Sequence, residues 1–187
     1  MTRIFTTLAI LNSVALLLSY GVGVVSKLRG SLLNPAADDT YLYHFMLGLG
    51  TAVLTLLVHC LIFTYFLGTG RWVKEVTIAY RLPDVPWHKE TRDLKRLVYP
   101  VALVAMLITI ATAAAGMGAQ RQEWPWTIHF TLATITLLVN LWAFRFEYRR
   151  VSRNTEVLDE VLAEVERIRA EKGLPSNAES WQQQELA

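Results

Sequence analysis

The sequence predicts an all-α integral membrane protein, a four-transmembrane-helix bundle with a short interfacial helix in the central loop and a C-terminal cytoplasmic helix. Three observations lead there. Hydrophobic residues make up 53% of the chain, and four stretches carry no Asp, Glu, Lys or Arg at all: 4–26, 40–70, 97–120 and 124–144. About 20 apolar residues suffice to cross the hydrocarbon core of a bilayer as a helix. A soluble protein of this size has no interior for four such stretches, because its helices must keep one face polar. The third observation is the placement of charge. Eight basic residues lie in Arg3 and the 71–96 loop, and seven more follow from Arg145 onward, whereas the two remaining loops hold only Lys27, Arg29 and Arg121. The cationic side stays in the cytoplasm. Both termini are therefore expected there, in a multi-pass protein of the inner (plasma) membrane.

The spans are expected at about 4–25, 41–67, 97–118 and 125–146, within a transmembrane domain covering 1–150. The first is read as a retained helix, since Val25-Ser26-Lys27 offers no A-x-A cleavage site. Asp39 or Thr40 is expected to cap the second, and Gly68-Thr69-Gly70 to end it. Tyr41, Tyr43, Trp124 and Trp126 mark the outer interface, and Trp72, Tyr99 and Trp142 the inner one. In the central loop, Trp72, Val73, Val76 and Tyr80 fall at helical spacing among charges over 71–82, the pattern of a helix lying in the interface. Leu82-Pro83-Asp84-Val85-Pro86 breaks it, and a new helix is expected to start near Lys89. The fourth span opens at Trp124-Pro125, with proline in the tolerated first turn.

Beyond it, Asn154 or Thr155 reads as the N-cap of a separate amphipathic helix within 151–175. Leu158, Val161, Val165 and Ile168 form a 3-4-3 seam, so the 157–168 helix is expected to meet another membrane protein or a second copy. The tail, 176–187, reads as disordered. No internal repeat is visible in the residues.

The candidate chemistry lies in three intramembrane histidines. Ionisable groups in lipid are costly and turn to the protein interior. His44 is four residues into the second helix and His129 a similar distance into the fourth, which runs in the same direction, so the two share a depth. Two imidazoles at one depth suit the axial positions of a b-type haem, or two corners of a site for a metal ion. The plainer reading is hydrogen bonding to backbone, to water or to each other. His59 follows His44 by 15 residues, about 22 Å along the axis and about 60° around it. That spacing resembles the paired histidines of two-haem cytochrome b. The resemblance implies matching histidines on a second helix, and the fourth span offers only His129, with Asn140 further along. At most one bis-histidine haem is then possible, and His59 is free to pair with Asn12 or Asn140. Ser19/Gly23, Gly48/Ala52 and Ala114/Gly118 place small residues at the level of His44, for close packing or for a flat cofactor.

No phosphate loop, H-E-x-x-H, C-x-x-C or G-x-S-x-G motif is present. The lack of charges within the uncharged stretches argues against a proton-driven carrier. A net charge of +2 gives no reason to expect nucleic acid; the lipid bilayer is the expected surroundings. With no catalytic constellation in the residues, the sequence favours a small membrane subunit or accessory protein acting through protein contacts; the alternative is a redox protein holding one b-type haem or a metal ion between His44 and His129, and a weaker one is small-molecule transport.

Overall fold

The computed structural model describes residues 1–33, 38–177 and 179. Among them are four helices and no strand: α1 (Thr2–Arg29), α2 (Thr40–Ala79), α3 (Trp87–Gln120) and α4 (Trp126–Glu171). Each is long and apolar enough to cross a membrane. The reason for four helices is the solvent. In lipid no water satisfies the backbone, so each span must bond its own N–H and C=O groups. Side chains such as Ile10, Leu57, Leu107 and Leu138 then point outward, where a soluble protein would place charge.

The helices run up and down around a ring. Each packs on its neighbour in sequence, and α1 closes the ring on α4. Polar cross-links give the register. Asn12 on α1 donates to the Thr55 hydroxyl on α2 (2.9 Å), Tyr99 on α3 to the Phe63 carbonyl on α2 (3.0 Å), and Asn140 on α4 to the Thr109 hydroxyl on α3 (3.3 Å). Diagonal partners α2 and α4 are parallel. We call the end with the α1–α2 and α3–α4 connections the hairpin end, and the other the terminal end.

At the hairpin end, Gly30 closes α1 with φ 63°, a conformation in which a side chain would be strained. Neither Asp39 nor Thr40 caps α2 by its side chain. Asp38 does that work, accepting from the Thr40 amide at 2.8 Å and from its hydroxyl. The Thr40 hydroxyl and amide hold the Asp38 carboxyl below the usual carboxylate range, with Arg29 adding to the effect.

At the terminal end two sequence expectations are corrected. The short interfacial helix over 71–82 is not separate, because α2 passes through Gly68-Thr69-Gly70 unbroken to Ala79. Neither glycine adopts a positive φ. Glycine permits a C-cap without imposing one, and the apolar stripe beyond it has a partner. That partner is the last part of α4, which is likewise no separate helix: α4 runs continuously to Glu171. Asn154 caps nothing; it is buried and donates to the Tyr65 and Thr69 hydroxyl groups at 3.1 Å each. Val161 and Val165 form a second core with Val73, flanked by Trp72, Val76, Tyr80, Trp87 and Leu158. The seam expected to take a partner helix is thus covered by α2 of the same chain. Arg153 ties α3 to this extension, pairing with Glu90 (2.6 Å), Glu156 (2.9 Å) and Glu160 (3.2 Å). Glu90, then Glu156, raise the affinity of its guanidinium for the proton. α3 starts at Trp87 and carries Pro100 inside it. The 34–37 part of the α1–α2 connection and most of the tail expected to be disordered lie outside the described residues.

Candidate functional site

His44 and His129 project from the diagonal helices α2 and α4 and meet across the bundle near the hairpin end. Their ring centroids are 6.0 Å apart, with the planes inclined at 63°. Each ring is fixed by the neighbouring helix in the same way. The Nδ1 atom of His44 lies 3.1 Å from the Ser19 carbonyl on α1, and that of His129 lies 3.0 Å from the Thr112 carbonyl on α3. A carbonyl oxygen only accepts, so each Nδ1 carries the proton and each Nε2 presents its lone pair. No hydrogen bond among the described residues engages either Nε2.

One helical turn beyond each carbonyl stands a glycine. A Cβ on Gly23 would come within 2.6 Å of the His44 ring, and one on Gly116 within 2.9 Å of the His129 ring. Only a residue without a side chain lets the imidazole lie against the helix there. The other small pairs have ordinary packing duties. Gly48 lets α2 approach Ser19, and Gly118 accommodates the Trp124 ring.

The two settings are related by a repeat that the residues alone conceal. His44 and His129 are 85 positions apart, as are Thr51 and Thr136. Ser19 and Thr112 are 93 apart, and so are Gly23 and Gly116, and Ala15 and Ile108. The bonds follow the numbers: Thr51 donates to the Ala15 carbonyl (3.4 Å) and Thr136 to the Ile108 carbonyl (3.3 Å). The α1–α2 and α3–α4 pairs are pseudo-equivalent halves, each supplying one imidazole. No protein family, curated protein or solved structure matches this chain.

A metal held between two imidazole nitrogens at about 2.0–2.1 Å, with each ring centre about 1.1 Å behind its nitrogen, would separate the centres by about 6.3 Å. The observed 6.0 Å is of that order, and is also the separation of two rings in direct edge-on contact. A bare ion asks for more donors. Among the described residues there is no group of three or more His, Cys, Asp or Glu side chains that could hold one. Haem iron asks for two protein ligands at most, because the macrocycle supplies the rest.

The structure does not bring His59 to this pair. It is fully buried nearer the terminal end, with Nδ1 2.8 Å from Glu147 Oε1 and Nε2 3.0 Å from Asn140 Oδ1, and its ring stacks on Phe144. Of its two expected partners, Asn140 is taken, while Asn12 goes to Thr55. Cys60 beside it is exposed and faces Met106.

Glu147 is the residue that sequence reading missed. It lies just beyond the uncharged stretch, next to a run of arginines, and so reads as cytoplasmic surface. In the fold it is 0% exposed, the only Asp, Glu, Lys or Arg so buried among the described residues. A signal was present. Thr136, Asn140, Phe144, Glu147, Val151 and Asn154 recur at three- and four-residue steps, and all are buried. That stripe marks Glu147 as inward-facing.

Proposed function

We propose that this protein is a membrane redox protein that holds one b-type haem between His44 and His129 in the outer half of the inner membrane. The observation that carries the reading is the duplicated setting of the two imidazoles. Each is oriented by a backbone carbonyl on Nδ1, which fixes the tautomer and raises the basicity of the other nitrogen, the usual support of a metal-bound histidine. Each lies against a glycine, and the two rings meet edge-on at a separation of the order a shared ion requires. Histidines serving only as interhelical glue need neither the glycines nor each other. The bound group would supply one-electron chemistry. The chain's part is to orient two ligands, exclude bulk water with the surrounding apolar helices, and offer cations nearby. Lys27, which lies over the Trp126 ring, and Arg121 are at the same end of the bundle, with the sign that haem carboxylates require.

The accessory-subunit reading draws less support, because its best docking surface, the 157–168 seam, is covered by α2. Transport lacks a broken span among the four continuous helices.

The test is an absorption spectrum, oxidised and reduced, of protein purified from its native membrane, with elemental analysis. A Soret band with about one iron per chain is expected. His44→Ala and His129→Ala should each abolish it, and His59→Ala should retain it. A colourless, iron-free preparation refutes the reading. Loss of the band in the His59 variant alone would move the site to the other end.

A further inference from the structure

The pseudo-repeat gives the bundle two equivalent seams between its halves, α2 on α3 and α4 on α1. In the first, large side chains close the gap. The Tyr99 and Phe63 rings touch, with centroids 4.5 Å apart, and the Tyr99 hydroxyl donates to the Phe63 carbonyl at 3.0 Å. Two turns along, the Met106 sulfur stands 4.0 Å from that of Cys60. The repeat carries Cys60 and Phe63 forward 85 positions to Arg145 and Tyr148. It carries Tyr99 and Met106 back 93 positions to Thr6 and Ser13. Those four residues line a groove of about 280 Å³ between α1 and α4. Among the described residues, no hydrogen bond or ring contact joins any of the four to the opposite wall. One seam is filled and its counterpart is open.

We propose that this groove is a binding site for one anionic phospholipid, with an acyl chain along its apolar wall and the phosphate on Arg145. The site is independent of the haem reading.

The wall suits a hydrocarbon chain. Phe5, Ala9 and Phe144 are buried there, with Ile10 and Leu141 beside them. Thr6 and Ser13 spend their hydroxyl groups on carbonyls of their own helix, those of Thr2 at 2.8 Å and Ala9 at 2.7 Å. They ask no hydrogen bond of an occupant, and covering the apolar wall removes it from water during insertion and from looser lipid afterwards.

The head of the groove suits a phosphate. Arg145 is exposed and has no carboxylate partner, whereas Arg153 and Arg167 on the same helix are both paired. It follows Trp126 by 19 residues, about 28 Å of helix, against a hydrocarbon thickness of about 30 Å. With Trp126 at one interface, the guanidinium reaches the phosphate layer of the other along its own apolar stem. Its planar fork donates two parallel N–H bonds to phosphate oxygens. The surroundings select the sign of the whole headgroup. A choline or ethanolamine cation would need an acceptor, and none is offered. Glu147 is buried and turned to His59, α1 has no acidic residue in its first turn, and the next exposed charges are Arg149 and Arg3. A headgroup of net negative charge meets attraction there instead.

The test places the full chain in nanodiscs of equal parts phosphatidylglycerol and phosphatidylcholine and reads retained lipid by native mass spectrometry. The wild type should hold about one phosphatidylglycerol per chain, preferred about tenfold over phosphatidylcholine. Arg145→Gln should lower that retention about tenfold. Arg149→Gln removes an equal charge one turn away, outside the groove, and should leave it unchanged. Ser13→Met supplies the side chain that fills the opposite seam, and should expel the lipid with Arg145 still present. Should Ser13→Met fail to fold, the headgroup preference and the two arginine variants decide. A wild type that retains no lipid, or holds both kinds equally, overturns the proposal. Equal loss in both arginine variants also overturns it, since unspecific surface charge then explains the binding. Full retention in a folded Ser13→Met chain would remove the lipid from this groove.

Discussion

At the scale of single residues, the two glycines against the histidine rings make the sharpest claim. A methyl group on Gly23 would collide with His44 at 2.6 Å, and the neighbouring backbone cannot yield without loosening the α1–α2 contact. Gly21, two residues earlier on α1, has nothing within 4 Å of an added Cβ. On the proposed haem reading, Gly23→Ala and Gly116→Ala should displace the rings and weaken haem retention at least tenfold, a change of about 1.4 kcal/mol. Gly21→Ala should leave retention unchanged. Equal retention in all three variants, measured as haem per protein after dilution, would mean that the rings have no fixed post. A second residue-scale expectation follows from Asp38. Its carboxyl is held below the usual range, so its hold on the start of α2 is present above the ordinary carboxylate pKa. That hold is lost as pH falls through the lowered value. Amide exchange at Thr40 should accelerate only at strongly acidic pH, and in Asp38→Asn it should already be fast at neutral pH.

At the scale of elements, the four spans were legible because lipid imposes a simple rule: an uncharged run of sufficient length becomes a helix. The ends of α2 and α4 were not, since there tertiary packing overrides local punctuation. Gly68-Thr69-Gly70 and Asn154 are sound boundary signals that the buried stripe from Val73 to Val165 outweighs. Two predictions separate these accounts. Gly68 has open space where a side chain would stand and no positive φ, so Gly68→Ala should stabilise a continuous α2 by up to about 1 kcal/mol. A C-cap glycine would instead be damaged by the change. Val161→Asp with Val165→Asp places two unpaired charges in a buried cluster, at a cost of several kcal/mol. The α4 extension should come off α2 and become sensitive to protease, while the size of the particle in detergent stays the same. A smaller particle would show that the seam holds a second chain after all.

At the scale of the whole molecule, the site becomes intelligible only through the pseudo-repeat. Sequence reading placed His44 and His129 at one depth by counting turns, and the rings do meet. It could not see that the halves are equivalent, because what repeats is a set of bonds to backbone carbonyls, carried by Ser19 in one half and Thr112 in the other. Nor could it weigh Glu147, whose neighbours in sequence are solvent-facing arginines. The same repeat gives a prediction about placement in the membrane. Both histidines lie near the hairpin end, whose connections and flanking last turn of α1 hold three of the 18 basic residues. The terminal end holds the other fifteen, including the arginines that follow α4's uncharged stretch. The positive-inside bias then predicts the histidine pair on the outer side and the His59–Glu147 pair on the cytoplasmic side. A reporter active only outside the cytoplasm should be active when fused after Gln122 and silent when fused after Asp84. The reverse fusion pattern would place the histidine pair on the cytoplasmic side and the His59–Glu147 pair on the outer side.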